Sequence, residues 1–364
     1  MKEVMSKYVG TKESSMKNDS IKMLLFVLVV SWTFTGCGTT AKEGTNTGQA
    51  MTSMEQLDYK TALTQLEAAK KAGENEELVN RALGIAHMGL ADYESAIPCF
   101  EQALSQSNGR AGTLEIDTSY YLATAEYKMG NVDDAIETYS AIIGLRPKDR
   151  DAYYLRGSLR LEKQLYDDAV RDFNQAIDLD KNNPDIYVKI YETMENKGYK
   201  AQGHDYLDQA MKLDTKITDF QKGKLYYCLE DYEQARDLLE KARGTGEEGV
   251  VLYLGKTYEA LGDMNYAASL YKTYLEKNAE DVEIYNQLGL CQIKSADYEG
   301  ALSTFDKGLS VENNSIRQSL RYNEIVAYEY MANFKKATVL MESYLNDYPD
   351  DTKAQREYDF LKTR

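Results

Sequence analysis

The sequence predicts an all-α chain, a solenoid of stacked helical hairpins, and three observations carry that prediction. Only four prolines occur in 364 residues, which favours long helices joined by short turns. Small residues in what would be second helices fall at 62, 96, 135, 169, 203, 235, 267, 301 and 337, a spacing close to 34 residues. A period of that size corresponds to one helix-turn-helix per unit, and such units stack into one long body.

The first element from the N-terminus does not belong to that body. Lys17 and Lys22 precede an apolar run over residues 23–35 that stops at Gly36 and Cys37. The run is shorter than the roughly 20 residues needed to span a bilayer, and it fits the apolar core of a signal peptide. Thr35-Gly36-Cys37 resembles the bacterial lipobox, with Phe34 where leucine is usual. That resemblance implies removal of residues 1–36, lipid attachment at Cys37, and a location at the cell membrane facing its extracytoplasmic side. Met16 is the more natural start, which leaves residues 1–15 as sequence that need not be translated. Residues 37–48 are small and polar and read as a flexible tether. The repeat body is expected over 49–351 as about nine units, the first of them degenerate. Residues 352–364 then form a capping helix, with Ala354, Tyr358 and Leu361 on one stripe.

Within the body the same ladder recurs. Gly84, Ala96, Phe100 and Ala103 are echoed by Gly157, Ala169, Phe173 and Ala176, and again by Gly223, Ala235, Leu239 and Ala242. Ala123 with Ala135 and Tyr139, Gly255 with Ala267 and Tyr271, and Gly289 with Ala301 and Phe305 repeat its core. The small residues let the two helices of a unit approach, and the large one fills the gap between neighbouring units. In the unit that starts at Pro184 the pattern inverts, because Tyr191 stands at the small position and Gly203 faces it. Glycine-rich stretches at 107–112 and 244–249 are the expected places for a bend or simply for loop drift.

This ladder resembles the tetratricopeptide repeat, whose pattern is nearly complete in Tyr285, Leu288, Gly289, Ala301 and Phe305, with Pro147 and Pro349 where second helices end. The resemblance covers residues 49–361. It implies a right-handed superhelix whose first helices line a concave groove for extended peptides or short helices.

Composition removes several function classes. The formal charge is −16, and it becomes −18 without residues 1–36, which hold five lysines and three acids. So acidic a body is repelled by nucleic-acid phosphates and anionic headgroups, so contact with a membrane is expected through the lipid anchor only. Two histidines, His87 and His204, and no cysteine or histidine cluster at ligand spacing give no metal site, no cofactor and no catalytic residues. Cys99, Cys228 and Cys291 read as packing residues. Acid pairs such as Asp133 and Asp134 sit at helix starts, where the helix dipole favours them.

The expectation is therefore a non-enzymatic scaffold that holds proteins or peptides; the alternative is a solute or glycan receptor, or an accessory subunit that presents substrate to an envelope hydrolase. The positions three before, one after and four after each small residue of a first helix should face the groove. They are Arg81, Ile85 and Met88; Tyr120, Thr124 and Tyr127; Tyr154, Ser158 and Leu161; Val188, Glu192 and Glu195; Phe220, Lys224 and Tyr227; and Leu252, Lys256 and Glu259. Periodicity leaves groove and packing roles open for Tyr120, Tyr154 and Tyr227. The lysine and asparagine clamp that the family uses on C-terminal carboxylates is absent. An acidic, aromatic groove around Tyr154, Glu192, Glu195 and Tyr227 would prefer a partner with basic and apolar residues.

Overall fold

The computed structural model describes residues 44–106, 112–213, 217–311, 316–349 and 351–364. Cys37, residues 1–36 and most of the glycine-rich stretch at 107–112 lie outside the described residues.

Nineteen helices form among the described residues: α1 Asn46–Glu55, α2 Tyr59–Lys71, α3 Glu76–Gly89, α4 Tyr93–Gln106, α5 Thr113–Lys128, α6 Val132–Leu145, α7 Arg150–Glu162, α8 Tyr166–Leu179, α9 Pro184–Asn196, α10 Lys200–Met211, α11 Asp219–Cys228, α12 Tyr232–Ala242, α13 Val250–Ala260, α14 Met264–Leu275, α15 Val282–Lys294, α16 Tyr298–Ser310, α17 Arg317–Tyr330, α18 Phe334–Asp347 and α19 Thr352–Leu361. Odd-numbered helices up to α17 are the first, or A, helices of nine hairpins, and even-numbered ones are the B helices. One compact unit ends at Tyr206, inside α10, and the second is Leu207–Arg364. Within each unit a helix packs on the helices before and after it, and A helices of neighbouring hairpins also touch.

The hairpin turn is the same nine times. A single residue adopts left-handed φ between the two helices: Leu57, Ala91, Gly130, Gln164, Gly198, Glu230, Gly262, Ala296 and Ala332. That conformation lets its own backbone N–H and the next one turn back onto the end of the A helix. In the second hairpin, Asp92 N–H donates to the His87 carbonyl and Ala91 N–H to that of Met88, both at 2.9 Å. The residue after the left-handed one then starts the B helix. Asp58, Asp231, Asp263 and Asp297 each accept a backbone N–H three residues on, at 3.1–3.2 Å. Such a cap contributes about 1 kcal/mol.

Small and large positions interlock inside the hairpin. A Cβ placed on Gly84 would lie 2.5 Å from the Phe100 ring, and one on Gly157 2.8 Å from Phe173. Phe100 also stacks on Tyr121 of the next hairpin at 5.7 Å between centroids. The large residue thus fills the gap between hairpins, as expected, and also seals its own. The inverted unit is seen directly: a Cβ on Gly203 would meet Tyr191 Cδ2 at 3.1 Å.

In four of the nine hairpins a second pair joins the A helix to its B helix twelve residues later, and it is polar. Ser53 donates to Gln65 at 2.9 Å, Thr138 to Glu126 at 2.9 Å and Thr304 to Gln292 at 2.6 Å. In the fourth hairpin the pair is ionic, with Asp172 accepting from Arg160 at 2.7 Å and from both ends of the Arg156 fork. Buried polar atoms must be paired, so these bonds fix the register of one helix against the other.

The body starts earlier than the sequence suggests. Residues 46–48, read as tether, are the first turn of α1. Glu74, from the α2–α3 loop, accepts from Asn46 N–H at 2.9 Å, Thr47 N–H at 3.0 Å and the Thr47 hydroxyl at 2.5 Å. Those hydrogen bonds, led by the Thr47 hydroxyl, hold the Glu74 carboxyl below its ordinary range. In the 244–249 turn, Thr245 donates to the Ala242 carbonyl at 2.8 Å and Gly249 caps α13 in left-handed conformation.

Candidate functional site

Helix formation on a 3.6-residue period aims residues three before and one and four after the small position along one face of each A helix. How deep that face lies is set by the neighbouring hairpin, and the structure divides the expected residues accordingly.

In the first unit half of them are consumed by the fold. Thr124, Tyr154 and Ser158 are only 1 %, 3 % and 5 % exposed, so they do not line a groove. Thr124 donates to the Tyr120 carbonyl and Ser158 to the Tyr154 carbonyl, each at 2.8 Å, as short hydroxyl side chains do when a helix face is covered. The Tyr154 hydroxyl bonds Thr193 of α9 at 2.8 Å, and burial pushes it up to about 12. Met88, Leu161 and Val188 are buried as well. Met88 packs with Tyr121 and Leu122 of the next A helix, just as Tyr154 meets Thr193 of its own next A helix.

Others stay partly open. Arg81 rests over the Tyr121 ring at 5.4 Å, and with Arg146 it opposes the upward push of burial on Asp117. The Tyr120 hydroxyl donates to Asp149 at 2.6 Å and that of Tyr127 to Glu162 at 3.0 Å. Burial first, and then the adjacent carboxylate, hold both phenols protonated far above their usual range. Glu192 and Glu195 are half-buried, and Glu195 accepts from Tyr191 at 3.2 Å with Lys200 at 3.3 Å. Ile85 packs against the neighbouring cores.

The second unit holds an aromatic cluster. Phe220 and Tyr227 of α11 meet Tyr253 of α13 edge-on, with centroids 6.1 and 5.5 Å away. The Lys224 ammonium lies 5.5 Å from the Tyr253 centroid and that of Lys256 lies 5.7 Å from it. Rings so placed present flat apolar area with a cationic margin. Tyr253 was missed by sequence reasoning because it sits two residues before the small position; its signal is the Phe220 and Lys224 pair one hairpin earlier. Leu252 is half-buried, whereas Glu259 is buried beneath Tyr271 at 2.9 Å, Gln287 at 2.9 Å and Lys294 at 3.1 Å.

Of the residues expected to form an acidic and aromatic groove, Tyr154, Glu192, Glu195 and Tyr227, the first is enclosed and the others have close company. Tyr154 is inside, Glu195 has basic company, and Tyr227 belongs to the other compact unit beside two lysines.

Among the described residues no group of three or more His, Cys, Asp or Glu could hold a metal ion, and no helix is long and apolar enough to cross a membrane. His87 Nδ1 lies 2.9 Å from Asp92 Oδ2 at the turn, and His204 lies against Tyr191. Cys99, Cys228 and Cys291 are free thiols, and burial pushes Cys291 up to about 11.

A model of the tetratricopeptide repeat matches residues 120–184, and a second matches residues 82–109 and 282–315. TPR repeat-containing protein YpiA of Bacillus subtilis is 21% identical over 238 residues, which cover 64% of this chain and 55% of that protein. A TPR repeat-containing protein of Methanocaldococcus jannaschii is 26% identical over 262 residues, 67% of this chain and 40% of that one. The chain spans about half the length of these curated relatives. Among solved structures, a tetratricopeptide repeat protein from Parabacteroides merdae is 15% identical with a TM-score of 0.46, covering 78% of this chain and 97% of its own.

Proposed function

We propose that this chain, a tetratricopeptide repeat protein, is a non-catalytic scaffold held at the extracytoplasmic side of a bacterial membrane through lipid on Cys37. Tetratricopeptide repeats mediate protein–protein interaction, and each compact unit of this chain stacks several such hairpins. The observation that carries the reading is the half-buried cluster of Phe220, Tyr227 and Tyr253 with Lys224 and Lys256. It supplies rigid rings with polar and charged edges, the kind of surface on which hot spots concentrate.

The partner is a protein or peptide that brings apolar anchors for these rings; the strong negative charge of the body supports basic residues elsewhere on it, away from Lys224 and Lys256. The tether reading rests on Thr35-Gly36-Cys37 after a short apolar run.

Photo-crosslinking from positions 224 and 256, beside the rings, in intact membranes tests the scaffold. Discrete adducts lost on Phe220→Ala/Tyr227→Ala are expected, and a variant with unchanged adducts, or none from either protein, removes the reading. Labelled palmitate incorporation abolished by Cys37→Ser tests the anchor. Trp32 is the chain's one tryptophan and precedes Cys37, so protein extracted from membranes should lack tryptophan emission.

A further inference from the structure

Of the four polar pairs that tie an A helix to its B helix, three are neutral or compensated. Ser53 with Gln65 and Gln292 with Thr304 carry no charge, and Asp172 is met by Arg156 and Arg160. The third hairpin, α5 with α6, instead encloses Glu126, 7 % exposed, its carboxyl accepting from the Thr138 hydroxyl at 2.9 Å.

The charges that weigh most on that carboxyl are all acidic. Burial first, and then Asp134 and Glu137 of α6 and Glu101 of α4, favour its protonated form, while the Thr138 bond opposes them. The charged groups of the other neighbours are engaged elsewhere. On α3, Arg81 lies over Tyr121 and acts on Asp117, and His87 meets Asp92. On α7, Glu162 accepts from Tyr127, Lys163 donates to Asp133, and Arg156 and Arg160 hold Asp172.

The same hairpin is the least secured at its helix starts. Neither Gly112 before α5 nor Asn131 before α6 supplies a side-chain cap. Every other hairpin has at least one such cap, in chain order from Asp58, Asn75, Asp149, Asn183, Asp231, Asp263, Asp297 and Asn333. Uncapped starts on both helices lower the cost of opening that hairpin by itself.

The hairpins on either side are better held. Asn75 and Asp92 cap both helices of the second at 3.0 and 3.2 Å, and the Asp172 triad ties α7 to α8 in the fourth. We propose that the third hairpin is a pH-sensitive break in the first unit: Glu126 loses its proton as pH rises, and α5 with α6 opens locally while the hairpins beside it stay folded. Opening undoes bonds that link it to the fourth hairpin, from Tyr120 to Asp149, Tyr127 to Glu162 and Lys163 to Asp133. It also uncovers Phe100, on which Tyr121 stacks. The A-helix face of the first unit is thereby interrupted at Tyr120 and Tyr127, two of its half-buried positions. The closed hairpin keeps a proton that the open one releases, so opening grows from about pH 4.5 and levels off above about 7.

The test is backbone hydrogen exchange on the full chain, solubilised in mild detergent, at about pH 5 and about pH 8, with protection corrected for the intrinsic rate at each. Peptides from 113–145 should lose protection about tenfold between the two, and those of α3, α4, α7 and α8 should not follow. Glu126→Gln should abolish that loss. Gly112→Ser, at an extended backbone that a serine cap adopts, should raise protection of 113–145 at both pH values and keep the difference between them. Equal protection of 113–145 at the two pH values overturns the proposal, and so does a loss shared by the whole first unit, which would make the effect global. A loss that persists in Glu126→Gln removes Glu126 as its cause. Unchanged protection in Gly112→Ser would show that the helix starts do not set the opening, and overturns the local break as well.

Discussion

The ring of Phe305 lies against the backbone of Gly289, sixteen residues earlier in the same hairpin, so closely that a Cβ on Gly289 would stand 2.2 Å from Phe305 Cε1. Gly255 under Tyr271 at 2.2 Å and Gly84 under Phe100 at 2.5 Å repeat the contact. Alanine is otherwise the better helix former by about 1 kcal/mol. Gly289→Ala should nevertheless destabilise the chain by about 1–3 kcal/mol, because the ring is packed on every side and must move. Gly289→Ala/Phe305→Leu should recover part of that loss in a urea melt. A single variant at least as stable as wild type would show that the contact does not limit the hairpin.

Six of the nine left-handed turn residues are not glycine, although nothing but φ near +60° is asked of them. Ala91→Gly, Ala296→Gly and Ala332→Gly should therefore each stabilise by about 0.5–1 kcal/mol, since glycine reaches that region without a Cβ clash. Ala141→Gly, on the exposed face of α6, should do the reverse by a similar amount. Opposite signs for the same chemical change, read by thermal melting, are the check.

How much of this was legible depended on how local the cause was. The Gly84 and Phe100 ladder, the Tyr191 and Gly203 inversion and the order of the hairpins follow from spacings within one unit, and those spacings stand in the sequence. The start of α1 does not, because the group that caps Asn46 and Thr47 is Glu74, 28 residues away from Asn46. Nor does the burial of Thr124, Tyr154 and Ser158. A helical period gives the direction of a side chain, while the hairpin that covers it is set by packing between repeats. The turn residues Leu57 and Ala91 escaped for another reason: they lie outside the helical period, where only the backbone conformation reveals that they share a place.

Asp172 joins Arg156 and Arg160 in the fourth hairpin, with its carboxylate almost wholly enclosed and the Arg156 fork bonding both oxygens at 2.7 and 2.9 Å. Removing one partner of such a group leaves charge buried without compensation, which costs about 3–5 kcal/mol. Asp172→Ala should lose an amount in that range, and an Arg156→Met/Arg160→Met/Asp172→Leu triple change should recover much of it. If Asp172→Ala melts like wild type, the triad is not holding the hairpin's register.

Glu126 occupies the place that Gln292 holds in a later hairpin, with Thr138 donating to it at 2.9 Å as Thr304 does to Gln292 at 2.6 Å. Unlike glutamine it titrates. Burial first, and then the charges of Asp134, Glu101 and Glu137, push its carboxyl up from an ordinary 4.5 to about 7. The folded chain therefore holds a proton that the unfolded chain has released, and stability must fall as pH rises from about 4.5 to 7 and level off above. Partial screening brings the loss to about 1–2 kcal/mol. Glu126→Gln carries no such charge and reproduces the Gln292 bond, so it should match wild type near pH 4.5 and exceed it by that amount at pH 8. Melting curves across this range decide the matter: parallel pH profiles for the two proteins would mean that Glu126 ionises in the fold as easily as in the unfolded chain.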